Sequence, residues 1–323
     1  MSVPTAIIVS TGALHGVLPS AARVARRWLS FALCPVAIAC GGDVIELGTG
    51  QALPSFGDEG QSVRNLNIVV SEEYDPTLTD DLLEIFFVSD RLGGIGNKDV
   101  WTAVRRDRRD PFDMPTLVRE ASSPSEEASA AVSGDGLTLW VGTRREGGMG
   151  GADIWRSVRS ERGGEWSRPE PVVALNSGAD DLPRPPGQGG NVLPIASDRE
   201  GLLYQTFLAT RDAPHLEFDR LTPLDYLWDG ESSMDDGFLS DDGLHLFFRR
   251  ALVGRPGDLY VAWRRSLDER FQPPVSLDAV NSPDDDRDPF VSADRTRFFF
   301  ASNRSTGFRL DIYASPLYLP TFR

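Results

Sequence analysis

Residues 133–155 read SGDGLTLWVGTRREGGMGGADIW, which is a turn, a strand, a glycine-rich turn and the start of a second strand. Aspartate and glycine suit the first turn, because aspartate accepts hydrogen bonds from nearby backbone amides and glycine adopts positive φ without a Cβ clash. The alternation from Leu137 to Val141 is typical of a β-strand, and Asp153 opens the next one. This stretch therefore predicts a β-hairpin preceded by a tight turn.

Five copies of this pattern follow one another along the chain. In the successive copies, the second strand of this pattern is predicted to begin at Asp99, Asp153, Gly201, Asp258 and Asp311, at intervals of roughly 50 residues. A unit of this length cannot bury both faces of its sheet alone, so successive units pack side by side and close into a ring. The repeat predicts an all-β chain that folds as one β-propeller rather than as two domains.

A fourth strand is predicted after an aromatic residue and a proline in three of the copies, at Phe112–Pro115, Trp166–Pro169 and Phe271–Pro274. Proline suits the outer edge of a sheet, where its missing amide costs no ladder bond. The ending of such a strand also occurs early, at Leu66-Asn67, whereas the last copy, ending near Tyr318, has no fourth strand after it. We therefore predict five four-stranded antiparallel blades over residues 61–320, with a strand near Ser62 to Val69 closing the last blade.

The third copy departs from the repeat. Residues 187–190 (GQGG) replace its first turn, and its glycine-rich hairpin is reduced to Glu200-Gly201. A short loop leaves room on the rim of a blade, so this region is predicted to contact a partner. The candidate residues are Arg184, Gln188, Asn191 and Arg199.

The N-terminus predicts an export signal. A basic stretch, Arg23 to Arg27, precedes an apolar run from Leu29 to Ala39 that is too short for a membrane span. The sequence Ala-Ile-Ala-Cys that ends at Cys40 resembles a bacterial lipobox, in which the cysteine is lipidated. We predict a signal peptide over residues 1–39, lipidation of Cys40 and a flexible tether over 40–60. Cleavage by an ordinary signal peptidase is the alternative, because Ala37 stands where leucine is usual.

Composition narrows the range of partners. The 40% hydrophobic and 25% charged residues are ordinary for a globular protein, and the formal net charge is −15. Nucleic acid and anionic lipid headgroups are poor partners for so acidic a surface. Membrane contact is expected only through the lipid anchor, and the outer membrane is favoured because Gly41 rather than aspartate follows the cysteine.

Candidate chemistry centres on acid pairs that recur before the blades, at Glu72-Glu73, Glu126-Glu127, Asp180-Asp181 and Asp285-Asp286. A pair of carboxylates can catalyse glycoside hydrolysis, but the two groups need different environments that separate their pKa values. Groups that repeat with the blades are more simply turn caps or partners of the repeated arginines. The acidic run 284–288 could bind calcium but is predicted to be a solvated turn, and His245 is predicted to be packed in a strand. No catalytic residue, metal ligand or cofactor is predicted.

The motifs Ser-x-Asp-Gly, Ser-Asp-Arg (Ser89-Asp90-Arg91 and Ser197-Asp198-Arg199) and Asp-Ile-Trp resemble the WD40-like β-propeller repeat of the TolB type. The resemblance covers about residues 61–320 and implies a repeat associated with protein contacts in the bacterial envelope. It is specific for the fold and weak for function, since propellers include enzymes, lectins and scaffolds.

Together these patterns predict a non-catalytic binding or scaffold propeller of the cell envelope, exported and lipid-anchored, facing the periplasm or the cell surface. Its partner would be an envelope protein or a glycan. A carbohydrate-active propeller, either a hydrolase or a lectin, is the alternative. The central channel distinguishes the two, because three converging unpaired carboxylates favour a hydrolase and an apolar or arginine-filled channel favours a scaffold.

Overall fold

The computed structural model describes residues 53–321, which form the five four-stranded antiparallel blades that the repeat predicts. The N-terminal segment contributes β1 (Ser55–Phe56) and β2 (Gln61–Ser62). Blade 1 consists of β3 (Glu73–Leu78), β4 (Glu84–Ser89), β5 (Asp99–Val104) and β6 (Thr116–Leu117), and blade 2 of β7 (Glu127–Val132), β8 (Thr138–Thr143), β9 (Asp153–Val158) and β10 (Glu170–Pro171).

The remaining blades repeat this order. Blade 3 consists of β11 (Asp181–Pro183), β12 (Val192–Ser197), β13 (Gln205–Thr210) and β14 (Arg220–Pro223), and a 3₁₀ turn (Asp225–Leu227) leads to the next blade. Blade 4 consists of β15 (Ser232–Leu239), β16 (His245–Leu252), β17 (Asp258–Trp263) and β18 (Val275–Ser276), and blade 5 of β19 (Asp286–Val291), β20 (Arg297–Ser302) and β21 (Asp311–Tyr318). Between residues 53 and 321 the chain contains no apolar helix of membrane-spanning length.

The N-terminal segment closes the ring, as predicted, but with earlier residues. Both β1 and β2 pair antiparallel with β21, the last strand of blade 5. Half of the predicted closing strand forms turns instead, at residues 64–66 and 69. There the side chain of Asn67 takes the place of a strand by hydrogen-bonding the backbone of Ile312. Its Nδ2 donates to Ile312 O at 2.9 Å, and its Oδ1 accepts from Ile312 N at 2.8 Å.

The structure also bears on the predicted tether and on the sequence alignment of blade 3. Residues 53–60 belong to the segment predicted as a tether, and Ser55–Phe56 within it is a strand. The predicted signal peptide and Cys40 lie outside the described residues. In blade 3 the alignment on Gly201 is wrong, because β13 begins at Gln205 and residues 201–203 form its preceding turn.

The core lies between the blades. The second strands carry the largest buried side chains, among them Phe86, Phe87, Phe247, Phe248, Phe298 and Phe300. Both faces of these strands are buried because each sheet packs between two neighbours. His245 is fully buried in β16, as predicted.

A repeated arginine ties each blade to the segment that precedes it. Nη2 of each arginine donates to a backbone carbonyl in that segment; the pairs are Arg91–Leu66, Arg145–Ala121, Arg199–Leu175, Arg250–Leu227 and Arg304–Val280. Four of the five also form an ion pair with the acid that begins the first strand of the blade: Glu73, Glu127, Asp181 and Asp286. These acids are therefore partners of the repeated arginines, as predicted. We call these five arginines the latch arginines.

Candidate binding face and central channel

The first strands of the blades surround the axis of the ring. Strands β15, β19, β3, β7 and β11 contact one another in succession, and β12 contacts β15. Four of these strands contain a register shift, and in three of them the bulged residue, Asp75, Asp236 or Asp288, adopts positive φ near +55°. Aspartate tolerates this conformation better than most residues, and bulges often redirect side chains beside functional sites. The central channel that these strands surround is therefore a candidate active site.

Arg184 occupies the channel between two of these aspartates. Its side chain forms an ion pair with Asp75 and a second one with Asp288, at 3.4 Å from Nη1 to Oδ1. Asp75 is held further by Ala130, whose amide donates to Oδ2 at 2.5 Å, while the Asp75 amide donates to Asp288 Oδ2 at 3.1 Å. Arg184 is 1% exposed. The expectation that Arg184 lies on an accessible rim is therefore wrong.

A second group of charges lies closer to one mouth of the channel. Arg249 binds Asp235 at 3.1 Å and Asp285 at 2.8 Å, and Arg287 also pairs with Asp285. Burial, together with the neighbouring charge of Asp236, raises the pKa of Asp235 to about 6. The carboxylates here are already matched with guanidinium groups.

The acidic run 284–288 is therefore not the solvated turn that the sequence predicts. Asp286 and Asp288 are buried and paired with arginines, and Asp285 is largely buried. Burial is the main cause that raises the pKa of Asp288 to about 8, and Asp236 adds to it. Within residues 53–321 no group of three or more His, Cys, Asp or Glu side chains is arranged to hold a metal ion.

The channel narrows at the end where the first strands finish, and apolar residues line it together with charged ones such as Asp80 and Asp241. A cavity of about 80 Å³ lies there, and every blade contributes to its lining: Leu78, Val132, Pro185, Phe238 and Phe290. At the other end a cavity of about 390 Å³ is lined by Glu72, Tyr74, Lys98, Glu126 and Arg287, among others. Lys98 lies between two of these acids, at 3.4 Å from Glu72 and 3.7 Å from Glu126. The wider mouth is thus polar and charged.

The hairpins around this wider mouth each present at least one large apolar side chain to solvent. They connect the second and third strands of the blades, and their exposed fractions are 93% for Leu92, 56% for Met149, 97% for Leu202, 82% for Val253 and 67% for Phe308. We call these five residues the hairpin face. Single exposed apolar residues are common, but one at the same place in every blade forms a repeated surface.

The opposite end of the ring is different. Four of its five turns carry aspartates, among them Asp80, Asp135, Asp241 and Asp294, and none exposes a large apolar side chain. Burial raises the pKa of Asp80, and the charges of Asp241 and Asp135 add to the effect. The loops between third and fourth strands at this end expose Met114, Leu216 and Leu267, but in only three of the five blades. The hairpin face is therefore distinguished by an exposed apolar side chain in every blade.

The residues predicted for the rim of blade 3 do not form one site. Gln188 and Asn191 lie before β12 and Arg199 lies after it, so a strand of six residues, about 20 Å long, separates them. Arg199 is a latch arginine that donates to Leu175 O at 2.6 Å. The sequence patterns above did not predict the hairpin face. A signal for it existed, since each of its residues adjoins a glycine in a turn.

Comparison of the chain with known proteins gives information about its fold. No family model matches the chain, and no curated protein matches it. A thermostable family-43 glycoside hydrolase is similar in structure, with a TM-score of 0.54 and 10% identity, covering 81% of this chain and 97% of that one. The endo-arabinase from Bacteroides thetaiotaomicron gives 0.51 and 12%, covering 82% and 98%.

TolB from Acinetobacter baumannii is also similar, with a TM-score of 0.49 and 14% identity over 78% of this chain. This chain spans 56% of the length of that protein. TolB-type propellers and glycoside hydrolases thus both occur among the structural neighbours. At such identities the likeness shows the fold alone, a five-bladed β-propeller.

Proposed function

We propose that this protein is a non-catalytic binding module of the bacterial cell envelope, anchored through Cys40, which binds a protein partner with its hairpin face. The observation that carries the proposal is the repeated exposure of at least one large apolar side chain in each of the five hairpins. Burying such side chains against a partner gains about 25 cal/mol for each Å² of apolar surface removed from water.

A protein is a better partner for this face than a membrane. Anionic lipid headgroups are repelled by a chain of net charge −15. The face also encloses a charged mouth with Lys98, Arg287 and several acids. Apolar contacts combined with fixed charges of both signs are typical of protein interfaces, where the charges select the partner and its orientation.

Glycoside hydrolysis is the second candidate, and one observation favours it. Asp288 is a buried acid with a pKa of about 8, and it hydrogen-bonds the backbone of Asp75, another channel carboxylate. A general acid needs such a pKa near neutrality. Against this role, Arg184 contacts both carboxylates and all three side chains are buried, so a sugar ring has no access to them.

Site-specific photocrosslinking in living cells tests the proposed face. A photoreactive residue replaces Leu202 on the hairpin face or, as the matched control, Met114, which is 71% exposed outside it. We expect a discrete crosslinked protein band from position 202 that is lost when Leu92 and Val253 are both changed to serine. Equal crosslinking from both positions, or none from position 202, would contradict the proposed face.

A further inference from the structure

A large cavity lies at the seam where the ring closes, away from the hairpin face. Its volume is about 660 Å³, and it lies between blade 5, blade 1 and the closing strand β2. We call it the seam cleft. It includes Gln61 and Ser62 of β2, and Gln61 pairs with Ala314 of β21 across the closure.

The seam cleft is basic although the protein is acidic. Its lining contains five arginines, Arg64, Arg105, Arg108, Arg109 and Arg297, and three aspartates, Asp58, Asp110 and Asp294. Cations thus outnumber anions in the cleft, whereas acidic residues outnumber basic ones in the whole chain, 48 to 33. Clustered arginines repel one another unless an anion lies between them.

Two of the arginines are fixed by the protein itself. Arg105 donates from Nε to Leu82 O at 2.7 Å and stacks on Phe112, with its guanidinium carbon 4.4 Å from the ring centroid. Arg108 pairs with Asp294 at 2.8 Å. Burial lowers the pKa of Arg105, and the charges of Arg108 and Arg297 lower it further. The local field in the cleft is therefore positive.

The other three arginines have no such partner. Within residues 53–321, the side chains of Arg64, Arg109 and Arg297 form neither a hydrogen bond nor an ion pair. They come from three separate parts of the fold: the N-terminal segment, the loop after β5 and the start of β20. Phe299 and Pro316 supply apolar walls beside them. The cleft thus offers several free guanidinium groups around a volume that can hold a small molecule.

We infer that the seam cleft binds a compact ligand with two or more carboxylate or phosphate groups. Guanidinium groups match both anions through paired N–H donors, and the three free arginines are exposed, so a ligand can reach them. Because the arginines belong to blade 1, blade 5 and the closing segment, one ligand holds the seam together. Binding to the folded state alone then raises the melting temperature.

Titration of the full chain with pyrophosphate and with citrate tests the inference. Ionic strength is held constant with sodium chloride, and binding is measured by calorimetry and by the shift in melting temperature. We expect saturable binding of at least one probe, with pyrophosphate alone indicating phosphate groups and citrate alone carboxylates. Failure of both probes, or an equal shift with chloride alone, overturns the inference.

Substitution of the free arginines locates the binding. We expect the double variant Arg109→Gln and Arg297→Gln to bind the probes at least about tenfold more weakly. Its melting temperature without ligand should equal or exceed that of the unchanged protein, since it loses only repulsion. The control Arg220→Gln removes an exposed arginine that pairs with Asp212, and it should bind normally. Equal binding by both variants would refute the site, while the proposed hairpin face would be unaffected.

Discussion

Replacement of Arg91 by alanine tests how the ring is held closed. Arg91 is the latch arginine of blade 1, and its Nη2 donates to Leu66 O in the closing segment at 2.6 Å and to Glu73 Oε1 at 3.0 Å. Its guanidinium carbon also lies 4.9 Å from the centroid of the Phe87 ring. The substitution removes these contacts together and leaves Glu73 with no cation beside it.

The expected loss follows from the burial of Glu73, whose side chain has no exposed surface. Breaking a buried ion pair by removing one partner costs about 3–5 kcal/mol, because the other charge stays buried. A loss of this size is a large fraction of the total stability of about 5–15 kcal/mol that is typical of a domain. The double variant Arg91→Ala with Glu73→Gln should recover part of it, since no uncompensated charge remains.

The loss should also depend on pH. Burial already raises the pKa of Glu73, and Arg91 opposes that rise. Without Arg91 the folded-state pKa increases further above the unfolded value. The folded protein tolerates the protonated carboxyl, so the loss of stability caused by Arg91→Ala is small below the unfolded-state pKa of Glu73. The loss grows as the pH rises from there through the folded-state pKa.

Urea unfolding at pH 4.5 and pH 8, followed by tryptophan fluorescence, measures both effects. The control Arg220→Ala breaks an exposed ion pair with Asp212 and should cost below about 1 kcal/mol at either pH. A loss at pH 8 as small as that of the control, or one that is equal at both pH values, would refute the reasoning about the latch.

Three further outcomes are expected. Asn67→Ala should destabilise the protein by about 1–3 kcal/mol in urea unfolding, because two hydrogen bonds to Ile312 are lost, and an unchanged midpoint would place the closure elsewhere. Asp288→Asn should flatten the pH dependence of the free energy of unfolding. Because its folded-state pKa is about 8, the wild type loses roughly 1 kcal/mol of stability per pH unit, relative to the variant, between about pH 4 and 8. Parallel stability curves would contradict this. A fatty-acid probe should label the wild type and not Cys40→Ala, so that equal labelling of the two removes the lipoprotein proposal.

The fold could be predicted because its signals are local and repeated. The Asp-Gly turn at Asp135 and the proline at Pro169 restrict their own segments, and five similar copies correct one another. The same logic failed in blade 3, where a shortened hairpin misled the alignment by four residues, from Gly201 to Gln205. A single irregular copy has no second copy to correct it.

The channel could not be predicted in the same way. Arg184 contacts Asp288, which lies 104 residues away in the sequence, and their meeting depends on the closure of the ring. The seam cleft likewise unites Arg64 with Arg297 from opposite ends of the chain. Residue types alone suggested a rim for Arg184 and a solvated turn for Asp288, whereas tertiary pairing buries both.

The measurement that tests the central claim most directly is a search for turnover by the purified protein. Arabinan and xylan are incubated with the wild type and with Asp75→Asn, and released reducing ends are counted against a heat-denatured blank. Binding without catalysis predicts no product above the blank for either protein. Product formed by the wild type and abolished in a correctly folded Asp75→Asn variant would show that the channel carboxylates are catalytic and would contradict the account.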